Sequence, residues 1–203
     1  MIEDGTANYI QTNKKWYIKA ILSKRIFGES ISVKKIYLSN MAPIPLPIMH
    51  KVEIFNIEYN WKKLNVAQKK KINSIFNYTD IRIDFDVILI TQPLSEDSII
   101  TEIEKINLYK DIIENYKSKK ILIRAHPREK TNYKKIFPNC IISSEAYPLE
   151  LIYLNTPSST LAITLFSSGI HIFKNSHKII FGTCSNKSLE RTFGLIEKME
   201  ISQ

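Results

Sequence analysis

Asp86-Val87-Ile88-Leu89-Ile90 is a short apolar run closed by Pro93. Apolar at consecutive positions, it suits a strand covered on both faces, as in a parallel sheet. Downstream, Ile99, Ile103, Ile106, Tyr109, Ile113 and Tyr116 recur at helical spacing, which predicts a helix from about Ser98 to Tyr116. Ile121-Leu122-Ile123 reads as the next strand, ending at His126-Pro127. A short helix near Tyr133 to Phe137, a strand at Cys140 to Ile142 and a helix from Pro148 to Leu154 follow. Leu161 to Leu165 reads as a strand, Ser167 opens another helix, Ile179 to Phe181 is a strand, and Leu189 to Met199 a final helix. This alternation predicts an α/β fold, a Rossmann-like parallel sheet with helices on both faces, over residues 84–203.

Upstream the pattern is less regular. Lys15 to Phe27 reads as a helix, and Val33 to Leu38 and Val52 to Ile57 as strands. Between the strands, Met41-Ala42-Pro43-Ile44-Pro45-Leu46-Pro47 carries alternate prolines, which predict an extended connector or a proline-bearing ligand for a partner domain.

The chain has 203 residues, 44% of them hydrophobic, enough for a real core. No apolar run is long enough to span a bilayer, and no apolar signal region opens the chain, so a cytoplasmic setting is expected. Two cysteines, Cys140 and Cys184, form no metal-binding pattern. The net charge is +9, concentrated in the first forty residues and at Lys69-Lys70-Lys71. This is either a solvated face of an Ile-, Lys- and Asn-rich chain or a surface facing anions, including an anionic membrane. Aromatics do not interleave with the basic residues, which argues against nucleic acid.

Three short motifs carry chemistry. His126-Pro127 places an imidazole at a strand end, where it could bind a phosphate or protonate a leaving group; a loop histidine with a solvent or backbone partner is the plainer reading. Ser167-Ser168-Gly169 lies at a strand-to-helix switch, where free amides and two hydroxyls suit an anion; an ordinary serine cap is the plainer reading. Glu3-Asp4-Gly5 sets two carboxylates beside a glycine turn, able to hold one as a general base or simply to form a surface turn. In parallel sheets ligands bind beyond the carboxyl ends of the strands, so His126 and Ser167 could share one rim.

In this order the motifs resemble those of bacterial sialyltransferases, and most of all the lipooligosaccharide sialyltransferases of glycosyltransferase family 52. Ile2-Glu3-Asp4-Gly5-Thr6, Ile123-Arg124-Ala125-His126-Pro127-Arg128 and Tyr147-Pro148-Leu149-Glu150-Leu151 carry the similarity. It covers essentially the whole chain and corresponds to the part of such an enzyme after its N-terminal domain. The resemblance implies the C-terminal part of a GT-B-type glycosyltransferase: residues 1–83 a remnant of the N-terminal domain and connector, and 84–203 the domain binding CMP-sialic acid. By the same resemblance, Glu3 would take the proton from the acceptor hydroxyl, supported by Asp4. His126, followed by Pro127, would meet the donor phosphate as CMP leaves, and Ser167 and Ser168 would hydrogen-bond it. Arg124 would lie near the nucleotide, and Glu150 would accept from its ribose hydroxyls. Inverting displacement to a galactose-type acceptor of lipooligosaccharide or capsule needs no metal or other cofactor. Asp97 or Glu96, in Ser95-Glu96-Asp97 on the same rim, is an alternative base, and a helix cap at Ser95 is the plainer reading of that stretch.

The resemblance also implies that a supporting domain stands before Glu3. The chain is expected to be a fragment, a truncated gene product or a half that pairs with another polypeptide, binding CMP weakly and transferring little, and a homodimer is a further expectation. Rival readings are transfer of another sugar such as glucose, and a remnant serving as a binding or assembly module.

Overall fold

A computed structural model describes residues 28–39, 43–78, 84–143, 147–174 and 176–202. Two compact units divide the chain, Met1–Asn65 and Val66–Gln203. The helix expected over Lys15 to Phe27 lies outside the described residues.

In the first unit, β1 (Ile36–Leu38) and β2 (Val52–Ile54) pair in parallel, with Ile36 opposite Val52. Ile36, Leu38 and Ile48 are fully buried and form a small core with Val33, Ile44 and Val52 around them. The proline-rich connector is only partly extended. Pro45 takes extended angles, but Leu46–Met49 forms a helical turn, α1, with Pro47 in its first turn. The missing N–H of proline costs nothing there, because first-turn amides have no intrahelical partner. The second expected strand is cut short at Ile54, because the Asn56 side chain accepts the Tyr59 amide at 2.9 Å and caps α2 (Ile57–Lys63).

The second unit opens with α3 (Val66–Ile75) and contains a six-stranded sheet. Its strands are β3 (Val87–Ile90), β4 (Ile121–Arg124), β5 (Ile141–Ser143), β6 (Leu161–Thr164), β7 (Lys178–Ile180) and β8 (Met199–Ile201). They lie in the order β5-β4-β3-β6-β7-β8. Between them run α4 (Glu102–Glu114), α5 (Tyr133–Ile136), α6 (Leu149–Asn155), a 3₁₀ helix (Ser168–Ile172) and α7 (Lys187–Phe193). From the central β3 the chain winds outward through β4 and β5, then returns to β3's other side with β6. The switch point between β3 and β6 is the position where such sheets bind ligands.

Val87, Leu89, Ile121, Ile123, Ile163 and Ile179 face one core with Tyr109 and Ile112 of α4, Tyr133 of α5 and Leu189 of α7. The alternate residues Ile88, Ile90, Leu122, Ala162 and Ile180 are buried as well, as are Leu151, Ile152 and Tyr153 of α6. Helices flank a sheet whose central strand β3 is apolar at every position and whose neighbours β4 and β6 are apolar but for Arg124 and Thr164 at their ends.

The second unit also departs from expectation in detail. The sheet is mixed, because β8 pairs antiparallel with β7, Ile179 opposite Glu200. The final helix stops at Phe193 instead of reaching Met199: Gly194 has φ +82°, a left-handed conformation that ends a helix. Helix α4 starts at Glu102, with Thr101 as its cap, and its core face is rotated from the apolar one. Lys105, Tyr109 and Ile112 are buried, whereas Ile103 is 72% exposed.

Candidate active site

The loops after β3, β4 and β6 meet at the carboxyl rim of the sheet. Thr164, the last residue of β6, donates to the Ile90 carbonyl at 2.9 Å and accepts the Ser167 amide at 3.2 Å. Gln92 accepts the Phe166 amide at 3.1 Å, and its own amide donates to the Tyr109 hydroxyl at 2.8 Å. Two loops on either side of the switch point are thereby tied to one another and to α4.

His126 is half-buried on the loop after β4. Its Nδ1 accepts the Arg128 amide at 3.2 Å, which in a neutral ring leaves the proton on Nε2. Pro127 is exposed beside it. Ser167 is half-buried and caps the 3₁₀ helix, its hydroxyl accepting the Gly169 amide at 3.3 Å. Ser168 is exposed, and its side chain has no hydrogen-bond partner among the described residues. The expected helix at Ser167 is this single 3₁₀ segment of five residues.

Glu150 is exposed in the first turn of α6. A Cβ on Gly169 would come within 3.0 Å of Leu149 Cδ2, so the start of α6 packs against the start of the 3₁₀ helix. The structure therefore brings Glu150 and the serine pair into one neighbourhood. Arg124 is buried, its Nη2 donating to the Tyr147 carbonyl at 2.6 Å and its Nη1 to the Ser143 carbonyl at 3.4 Å. Its guanidinium lies 5.0 Å from the Tyr147 ring centroid, and the Tyr147 hydroxyl is 2.5 Å from Ser143 Oγ. Arg124 thus fastens the chain leading into α6. Asp97 receives both arms of Arg128, at 2.6 and 3.1 Å, which links the loop after β3 to that after β4. Ser95, which could have capped the following helix, instead donates to Glu102 at 2.5 Å; the cap is Thr101, in a capping box with Glu104. Glu3 and Asp4 lie outside the described residues.

Beneath the His126 loop lies a charged cluster that the motifs do not disclose. Lys105 and Glu129 have fully buried side chains. Glu129 Oε2 accepts the His126 amide at 2.6 Å and the Thr91 hydroxyl at 2.5 Å, and Oε1 accepts the Tyr133 hydroxyl at 2.5 Å. Lys105 Nζ stands 3.7 Å from Glu129, 2.9 Å from Glu96 and 3.0 Å from Glu102. Burial works to raise the Glu96 carboxyl, but the Lys130 amide and the Lys105 ammonium outweigh it and hold the group down at about 2. Burial and then the Glu129 charge drive the Tyr133 phenol well above its ordinary value, keeping it a protonated donor. Glu129 is three residues from His126 and Lys105 four from Tyr109; those spacings were the available signal.

Among the described residues no group of three or more His, Cys, Asp or Glu side chains is placed to hold a metal ion, and no helix is long and apolar enough to cross a membrane.

No solved structure matches the chain. An uncharacterized protein of Haemophilus influenzae is 39% identical over 202 residues, which are 97% of this chain and 66% of that protein. The chain thus spans just under two thirds of that relative's length. The family pattern of glycosyltransferase family 52 matches residues 1–184, taking in the rim loops after β3, β4 and β6; the chain belongs to glycosyltransferase family 52.

Proposed function

We propose that this chain serves sialic acid transfer from CMP-sialic acid to a terminal galactose-type acceptor of lipooligosaccharide or capsule, its second unit binding the nucleotide. The reading rests on one observation above the others: His126 and the Ser167–Ser168 pair flank the β3–β6 switch point on loops tied to that junction. The proton on His126 Nε2 can donate to the phosphate as negative charge builds on it, and the serine hydroxyls add two further donors. Glu150, next to the serine pair, is the acceptor for the ribose hydroxyls.

The reaction is one displacement. The acceptor oxygen forms a bond to the anomeric carbon while the bond from that carbon to the CMP phosphate oxygen breaks, inverting the centre. The acceptor proton passes to a carboxylate, and Glu3 is assigned that role with Asp4 in support. Asp97 is less suited to it, since both its oxygens already accept from Arg128 and a hydroxyl would have to displace the guanidinium.

Calorimetric titration with CMP, CMP-sialic acid and UDP-glucose tests the proposal. CMP and CMP-sialic acid are expected to bind, and His126→Ala is expected to weaken both by about tenfold or more, as for losing a hydrogen bond to a charged group. Preferential binding of UDP-glucose would move the assignment to another sugar. Binding of no nucleotide would point to an assembly module.

A further inference from the structure

We infer that Glu129 is a positioning residue for His126, and that its burial with Lys105 serves the site before it serves the fold. The inference rests on the functional reading above. Glu129 and His126 face one another across a turn closed twice: the Glu129 amide donates to the His126 carbonyl at 2.9 Å, and the His126 amide donates to the Glu129 carboxylate at 2.6 Å. The carboxylate is then gripped from three elements. Thr91 follows β3, Tyr133 opens α5, and Lys105 projects from α4. Its two oxygens together accept three hydrogen bonds and face one ammonium. The backbone of His126 is held by the same group that records the position of β3, α4 and α5.

The energetics favour a site role. A buried ion pair carries a desolvation cost that its attraction often fails to exceed, and an apolar replacement of similar volume is often as stable or more so. Glu129 and Lys105, both with 0% exposed side chains, are an inefficient way to fill a core. What a hydrophobe could not do is accept the His126 amide. That bond sets where the loop leaves the sheet, and the Arg128 amide, two residues on, sets the ring by donating to Nδ1. Nε2 and its proton then point away from both anchors. Because the donor geometry is preset, little ordering remains to be done when a phosphate arrives.

CMP titration and histidine NMR on the full chain test this. Glu129→Gln keeps the shape but puts an amide NH₂ where either the His126 amide or the Lys105 ammonium must face it. It is expected to weaken CMP binding about tenfold or more. The double variant with His126→Ala is expected to bind no worse than His126→Ala alone, since both changes remove one contact. Tyr133→Phe removes one grip without a new donor; it carries the same test, with a smaller loss, if the glutamine variant does not fold. In the unmutated chain, the His126 ring nitrogens are expected to show the Nε2–H tautomer. Unchanged CMP affinity in a folded Glu129→Gln, additive losses in the double variant, or an Nδ1–H tautomer would each overturn the inference. Unchanged affinity in His126→Ala would instead sink the functional reading beneath it.

Discussion

At the scale of single residues, Gly182 is a position closed to any side chain. It has φ +78°, and a Cβ there would stand 1.9 Å from the Ile196 carbonyl oxygen. Both facts hold for the same peptide, so no rotamer choice relieves the clash. Gly182→Ala is expected to lower stability by about 3 kcal/mol or more, read as an earlier chemical-denaturation midpoint. Glu96 gives a prediction of a different kind. Its folded value is depressed to about 2, against an ordinary carboxyl value of 4.5. In the window between these values the unfolded chain binds more protons, so the stability Glu96 contributes is complete above about pH 4.5 and is lost as the pH falls toward 2. The advantage of the unmutated chain over Glu96→Gln in urea denaturation is therefore expected to shrink across that range. Constant separation of the two curves would show that Glu96 does not carry it.

Single residues also mark where sequence reading stops. His126 and Ser167 are visible because proline and glycine neighbours punctuate strand ends. Glu129 follows Pro127-Arg128 and precedes Lys130, and in that company a carboxylate reads as surface charge. Only the convergence of Thr91 and Lys105, distant in sequence, with Tyr133, four residues on, makes it an interior group. Lys105 is hidden for a related cause: a period-3.6 pattern scores lysine as polar, so the spacing counts Ile103 on the apolar face and leaves Lys105 off it.

At the scale of elements, the four buried parallel strands β3, β4, β6 and β7 were legible because runs such as Val87-Ile88-Leu89-Ile90 need no alternation to be recognised. β8 was not. Met199, Glu200 and Ile201 are all exposed, and an edge strand with one neighbour has no apolar run to announce it. The helix before it looked longer than it is because Leu195 and Met199 continue the spacing past Gly194. Helix α4 shows the opposite case, a boundary fixed by side chains. Thr101 accepts the Glu104 amide at 3.2 Å while Glu104 accepts the Thr101 amide at 2.8 Å. Thr101→Ala is expected to cost about 1 kcal/mol, with fraying of the first turn of α4 visible as faster amide exchange at Ile103 and Glu104. Since Lys105 lies one turn farther on, the cap also bears on the cluster under the His126 loop.

At the scale of the whole molecule, the two units differ in how much of them could be read ahead. The second has one sheet with both faces covered, so periodicity and the right-handed α/β rules were enough to propose its architecture. The first rests on three fully buried residues and a two-stranded pair, and short elements of this size leave little pattern; α2 and the turn at Leu46–Met49 follow from an asparagine cap and a first-turn proline that a strand reading passes over.

The loop at Gly182 has a consequence for where this protein can be cut. The Thr183 amide donates to the Ile196 carbonyl, its hydroxyl donates to the Gly194 carbonyl, and the Ile196 amide donates back to that hydroxyl. The family pattern stops at residue 184, between the two sides of this knot, Thr183 and Gly194–Ile196. The end of the family pattern and the boundary of cooperative structure are thus offset by a helix and a strand. A truncation guided by the first would sever the second and leave the β7 edge of the sheet open to other strands.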